Sequence, residues 1–394
     1  MNAQDRQPPA TPPPDAQGPD AQGPDAQEPA ARAPTSRPLH ERFLTGVTGL
    51  FLVGATVLVG CRVLGTDGVT PVPQLLAFLP WLLVPMVPAA LFAALLRWRT
   101  GTVWALVLLA VTGWTSRTYD AYDTDDGASD TYAASGTTGT TGTTGTTGTT
   151  GTTGTTGTSG SGAPTRVRVL TSNVEFGQGT LGLIDTIRRE KPDLVFVQEC
   201  EFVCAGLLAD RVPSADYPYR NVVKASRAEG SAILSVFPLT DAAGVEGVLA
   251  MPGSTARIGD RTVHLQLAHP LPPIPGMVDD WRTELGGIRT YAAAAHRRGG
   301  PVIVAGDFNA TRDHALFRAL LKDGGLRDSA LSAGAGHTPS WPSRLPRPLG
   351  AQIDHVLVSD DFAVRDARFI DLADTDHRSL LVGLELRGTE MRVP

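Results

Sequence analysis

The chain has 394 residues, a formal net charge of -6 and a pI near 5.8. That balance provides no clustered-cation footprint for nucleic acid and weighs against a dedicated nuclease. Three cysteines are too few for a disulfide framework, and no His or Cys stands at a spacing that would complete a zinc site.

Residues 1–42 are rich in Pro, Ala, Gln and Asp, with GPDAQ repeating between Gly18 and Gln27. Such a segment buries too little apolar surface to offset its ordering entropy and is expected to be a disordered tail. Residues 43–116 hold three uncharged apolar stretches, 44–61, 75–96 and 100–116. Each is about long enough to cross a bilayer core of ~30 Å, which predicts three transmembrane helices, Pro80, Pro85 and Pro88 kinking the second. Arg32, Arg37 and Arg42 precede the first stretch, Arg97 and Arg99 separate the second from the third, and Asp120, Asp123, Asp125, Asp126 and Asp130 follow. The positive-inside rule then places the tail in the cytoplasm and everything after Ser116 outside. Residues 58–61, LVGC, resemble a lipid-attachment box, but the long preceding tail makes Cys61 an ordinary cysteine at a helix end.

Residues 117–164 carry a Thr-Thr-Gly repeat and are expected to be a flexible linker, whose about 27 Gly-rich residues reach roughly 30 Å. Residues 165–388 have the mixed texture of a domain with a core, and residues 389–394 are a short tail. Strand patterns lead into Asn173 and cover 193–197, 231–237, 263–268, 302–305, 353–358 and 380–386. Helical patterns cover 181–187, 278–298 and 313–321, the last with Asp313 as its N-cap. Many strands with fewer helices predict sheet packed on sheet with helices outside. Cys200 and Cys204 read as two small buried apolar residues, pairing being the alternative in an oxidising compartment.

Six polar signatures follow one another in this domain: Asn173 in LTSNVEF, Gln198 and Glu199 in VFVQE, His269 in LQLAHP, Asp307 and Asn309 in VAGDFN, Asp354 in QIDHVLVS, and Asp376 with His377 in DTDHRS. Each interrupts or ends an apolar strand pattern, where a fold can gather side chains from distant sequence. Glu199 closes such a strand, where an unpaired carboxylate is costly and a bound cation is the natural reason for it. Asp307 and Asn309 alternate and share one side of an extended chain, Phe308 turning to the core and Gly306 permitting close backbone approach.

The order N, QE, H, GDFN, IDHV, DH resembles the endonuclease/exonuclease/phosphatase superfamily of DNase I-like hydrolases over essentially the whole domain. The resemblance implies an α/β fold, a four-layer sandwich of two packed mixed β-sheets flanked by helices, here preceded by the three membrane helices. It implies a divalent-metal-dependent phosphoester hydrolase using Mg²⁺, with Mn²⁺ as the substitute. Glu199 would be the main metal ligand, with Asn173 and Asp376 close to the ion. Asp354 would orient His377, Asp307 would orient or deprotonate water or handle the leaving group, and Asn309 and His269 would contact phosphate oxygens. Whether Asp307 or His377 is the base stays open. Gln198 would brace the ligands, and His355 would face away, opposite Asp354.

Three spans with an outward domain carrying TPSWPSRLPRP ahead of QIDHVLVS are also similar to the VanJ-type membrane proteins linked to teicoplanin resistance in actinobacteria. That similarity implies dephosphorylation of undecaprenyl pyrophosphate. The expected setting is a multi-pass cell-membrane protein with an extracytoplasmic catalytic domain, partnered by the lipid bilayer and a lipid-linked phosphorylated substrate, with no stable nucleic-acid partner. A surface nuclease, a sphingomyelinase-like phosphodiesterase and, more remotely, a non-catalytic binding module are the alternatives.

Overall fold

A computed structural model describes residues 38–122, 164–347 and 349–388. Most of the expected tail, most of the linker and residues 389–394 lie outside the described residues. The chain divides into the units Met1–Phe43 and Leu44–Pro394; of the first, residues 38–43 are described.

The apolar region forms helices α1 (Leu39–Leu64), α2 (Val72–Leu76), α3 (Leu83–Leu95) and α4 (Arg99–Tyr122), with a 3₁₀ turn at Leu79–Leu82. Among the described residues, α1 is the one helix long and apolar enough to cross a membrane. The second expected span is broken: α2, the 3₁₀ turn and α3 replace it, in a stretch that carries prolines at 73, 80, 85 and 88. The apolar helical run that remains, Leu79–Leu95, is shorter than the ~20 residues that comfortably cross a core of ~30 Å. The third stretch lies in α4, which does not sustain the apolarity of α1 over a spanning length. Among the described residues the structure therefore shows one candidate span, and the other two expected spans are not confirmed. Leu52, Val59, Leu76, Leu79, Met86 and Leu108 pack these helices together, and Cys61 is a free, half-buried cysteine in the last turn of α1.

The remaining chain forms two six-stranded sheets. The first runs β11 (Phe362–Asp371), β12 (Arg378–Leu386), β1 (Thr165–Asn173), β2 (Leu194–Gln198), β4 (Ser231–Ser235), β3 (Tyr219–Val223). The second runs β5 (Leu239–Val245), β6 (Met251–Ile258), β7 (Arg261–Ala268), β8 (Val302–Asp307), β10 (Asp354–Ser359), β9 (Leu326–Asp328). β1 with β2 and β7 with β8 are parallel and the other pairs antiparallel, so both sheets are mixed.

Strand periodicity builds the layers. Val167, Val169, Leu380, Val382 and Leu384 point inward to meet Val263, Leu265, Ile303 and Val356 of the opposite sheet. Leu170, Val195, Val197 and Leu381 point outward and are covered by α5 (Thr180–Glu190) and α6 (Phe202–Arg211). Val302, Val304 and Leu357 lie under α7 (Val278–Arg298) and α8 (Ala315–Gly324). The result is the four-layer α/β sandwich the sequence led one to expect.

Gly306 is a fixed point of this frame: at φ +156 a Cβ would stand 1.9 Å from the Ala268 carbonyl oxygen, so β7 and β8 can run side by side there only with glycine.

Two expectations change in detail. Asp313 does not cap α8, whose N-cap is His314. The cap comes from the loop after α1: Asp67 accepts from the Ala315 and Leu316 N–H groups at 2.6 and 3.1 Å. Asp313 is instead taken by Arg62 at 2.8 Å, and His314 Nε2 meets the Pro73 carbonyl at 2.8 Å. Cys200 and Cys204 form a disulfide. The turn entering α6 brings their Cα atoms to 5.1 Å, within bridging range.

The helical region is thus fastened to the sandwich directly, whatever residues 123–163 do. Asp67→Ala removes the charged cap of α8 at a site only 8 % exposed. It is expected to cost about 1–2 kcal/mol, read as a lower unfolding midpoint and faster proteolysis next to α8.

Candidate active site

The parallel strands β1, β2, β7 and β8 all end at one edge of the sandwich, and the antiparallel strands β10 and β12 begin there. Register places Asn173 beside Gln198, Ala268 beside Gly306 and Asp307 beside Asp354. Residues just past those ends, Glu199, His269, Asn309, Asp376 and His377, are thereby carried to the same edge. Glu199 and Asn309 hold left-handed backbone, φ 58 and 47, which costs a non-glycine residue of order 1 kcal/mol and is tolerated where a side chain must be aimed.

The contacts are continuous. The Asn173 amide nitrogen donates to Glu199 Oε1 at 2.9 Å and to Asp307 Oδ2 at 3.1 Å. His377 Nε2 stands 3.8 Å from both Asp307 Oδ2 and Asp376 Oδ1, and its Nδ1 meets Asp354 Oδ2 at 2.9 Å. His269 Nε2 lies 3.8 Å from Glu199 Oε1. Asn309 donates backbone N–H to Asp307 Oδ1 and its side-chain amide to the Pro270 carbonyl, both at 2.9 Å, tying the GDFN turn to the His269 loop. Thr375 pins the last signature to β1: its hydroxyl donates to the Asn173 carbonyl at 2.9 Å and accepts from His377 N–H at 3.2 Å. All eight candidate residues are brought together.

Asn173 Oδ1 accepts from Glu175 N–H at 3.0 Å. In this orientation Asn173 presents its amide hydrogens to the carboxylates and acts as their spacer; offering oxygen to an ion would require the amide to turn. Gln198 is buried with its carbonyl near Thr171 at 3.3 Å. His355 faces away, held by Asp328 at 2.9 Å and the Ala310 carbonyl at 3.1 Å.

Trp341 is a site residue the sequence did not yield: its indole N–H donates to Asp376 Oδ2 at 2.9 Å. Tryptophan carries no titratable group, so nothing in the SWPSR signature that holds it marks it as part of a site.

Electrostatics divides the imidazoles. Burial works against charge on His377, but the Asp354 and Asp307 carboxylates outweigh it and hold the ring up at about 10. Burial, with repulsion from His377, takes His269 down to about 3, so it is a neutral ring. Burial, reinforced by the Asp354 charge, pushes Asp307 up to about 7. A carboxylate poised there is suited to exchanging protons near neutrality.

The donor set fits a hard divalent cation. Asp307, Asp354 and Asp376 converge on a single cationic ring, Glu199 joins them through Asn173, and Asp354 Oδ1 is buried with no partner among the described residues. Ligand atoms of Asp307, Asp354 and His377 lie within 4.8 Å of one another. Asp354 Oδ2 is committed to His377; Glu199 and Asp376, each of whose oxygens has a second lone pair, can supply further oxygen donors beside the unpartnered Asp354 Oδ1.

No curated protein matches the chain. Among solved structures, Danio rerio TDP2 complexed with single-strand DNA product is 14% identical, covering 56% of this chain and 98% of its own at a TM-score of 0.47. The AP endonuclease LMAP from Leishmania major is 17% identical, covering 56% and 88% at 0.46. The Neisseria 3′ phosphatase NExo bound to product DNA hairpin is 17% identical, covering 55% and 98% at 0.45. The profile of the Endonuclease/Exonuclease/phosphatase family matches residues 170–377, from β1 to the His377 signature and more than half of the chain; the chain belongs to that family and is a phosphoester hydrolase.

Proposed function

We propose that the protein is a membrane-anchored hydrolase that removes phosphate from a lipid-linked pyrophosphate, undecaprenyl pyrophosphate being the candidate, on the extracytoplasmic side. One observation carries this reading: the domain bearing the site is fastened to the end of the membrane-spanning candidate α1 by Arg62, Asp67 and Pro73. Such a site works beside lipid head groups. The Cys200–Cys204 disulfide suits an oxidising compartment, and exposed Ile274, Leu345 and Leu349 suit an apolar substrate.

The chemistry follows from the side chains. Glu199 and Asp376, with Asn173 beside them, would hold Mg²⁺ or Mn²⁺, which supplies charge neutralisation of the phosphate and a more acidic water. Asp307 Oδ2 takes the proton of the attacking water. His377, kept protonated by Asp354, donates Nε2–H to a phosphoryl oxygen and steadies the charge that develops there. Neutral His269 and the second amide hydrogen of Asn309 donate to the remaining oxygens without adding charge.

Full-length protein in detergent with Mg²⁺ is expected to release phosphate from undecaprenyl pyrophosphate. Cleavage of plasmid DNA with none of the lipid would replace this substrate assignment with the nuclease alternative.

A further inference from the structure

The segment between α1 and α3 reaches the site as well as the start of α8. Phe78 packs against Trp341 with ring centroids 6.3 Å apart, and Trp81 donates its indole N–H to the Gly350 carbonyl at 3.0 Å. Trp341 and Ala351 pair as an antiparallel bridge, Trp341 N–H to Ala351 O at 3.0 Å and Ala351 N–H to Trp341 O at 2.7 Å. Gly350 is required there, since a Cβ would stand 2.4 Å from the Trp341 carbonyl oxygen. Phe78 and Trp81 therefore grip both arms of one hairpin.

That hairpin is in turn stitched to the last catalytic signature. Ser343 donates its N–H to the Asp376 carbonyl at 2.7 Å and its hydroxyl to the Thr375 carbonyl at 2.8 Å. Arg378, only 2 % exposed, donates to the Pro339, Ser343 and Leu345 carbonyls at 2.9, 2.8 and 3.0 Å. At the end of the chain of contacts the Trp341 indole holds Asp376 Oδ2. On the far side of the site, Gln74 donates to the Pro273 carbonyl in the loop that follows His269.

We propose that the segment between α1 and α3 is a working part of the active site: Phe78 and Trp81 set the hairpin, and Trp341 acts as the positioning residue that fixes the Asp376 carboxylate for its cation. A carboxylate with one oxygen held by an indole N–H keeps the other aimed at the site, and losing such an outer partner costs roughly 10–100-fold in metal affinity or activity. The catalytic domain then depends on the membrane region for its chemistry as well as for its location. This inference rests on the assignment of Asp376 as a cation ligand.

The test uses full-length protein in detergent, freed of metal, with Mn²⁺ as the probe and free Mn²⁺ followed by electron paramagnetic resonance. Asp376→Asn should weaken Mn²⁺ binding; an unchanged affinity removes the ligand assignment and this inference with it. Given that weakening, Trp341→Phe should bind Mn²⁺ about tenfold more weakly, and Phe78→Ala severalfold more weakly. Phe78→Tyr, which retains the ring, should restore wild-type affinity. Trp81→Phe keeps the packing and loses only the bond to Gly350, so it serves if Phe78→Ala does not fold. Wild-type Mn²⁺ affinity in Trp341→Phe, in Phe78→Ala or, where that variant does not fold, in Trp81→Phe would overturn the relay while leaving Asp376 as a ligand.

Discussion

Asp354→Asn is expected to lower turnover by about 10²–10⁴-fold, the range that a positioned acid or base contributes, in a protein that still folds. Asp354 Oδ2 meets His377 Nδ1 at 2.9 Å, so the carboxylate selects the tautomer with hydrogen on Nδ1 and sustains the charged ring. An amide there can present N–H to the ring, reverse the tautomer and remove the largest of the charges holding His377 at about 10. The alkaline limb of the wild-type rate profile, where His377 gives up its proton, should move to lower pH in the variant. Stability should change in step. With a folded value of about 10 against an ordinary 6.5, the protonated ring contributes stability in full below about 6.5, and the contribution is lost as pH rises toward 10. Denaturant titrations at pH 7.5 and 9.5 should show wild type weakening between them and Asp354→Asn weakening less. Equal slopes in the two proteins would mean that Asp354 does not govern the ring.

The site was legible because its residues interrupt apolar strands. Glu199, His269 and Asp307 each stand at the end of a run buried on both faces, and a polar residue there has no structural reason to be present. The central strands were legible for the same cause. What escaped were the sheet margins: β11 and β3 edge one sheet, β5 and β9 the other, and none was expected. β5 shows the reason, since most of its residues are exposed; an edge strand with little to bury writes no alternation into the sequence. β6, with Pro252, Gly253 and Ser254, hid behind turn-forming residues. Trp341 and the Asp67 cap escaped for another reason: both act on partners more than 30 positions away, and nothing local to them announces the contact.

The other large effect concerns charge alone. Glu199→Gln keeps the shape of the side chain but exchanges one of its two acceptor oxygens for an amide donor, and it is expected to abolish measurable turnover, well beyond the roughly 10–100-fold lost with an outer-shell partner. In the native site Glu199 accepts from Asn173 and from the Phe176 N–H, each at 2.9 Å, while the hydrogen-bond partners of Asp307, Asp354 and Asp376 include Asn173, Asn309, Trp341, Ser340 and His377. Without an ion, those carboxylates repel one another. Neutralising one relieves that repulsion and offsets the loss of one of the two accepted hydrogen bonds, so the metal-free variant should lose less stability than a substitution at a half-buried position usually costs. Added Mg²⁺ separates the two proteins further. Binding to the folded state alone stabilises by RT ln(1 + [L]/Kd), so the wild-type unfolding midpoint should climb as Mg²⁺ is titrated and the variant's should stay flat. A variant that loses turnover yet retains the full climb would place the cation on other carboxylates, with Asp307, Asp354 and His377 the nearest set, and would leave Glu199 a role in orienting Asn173.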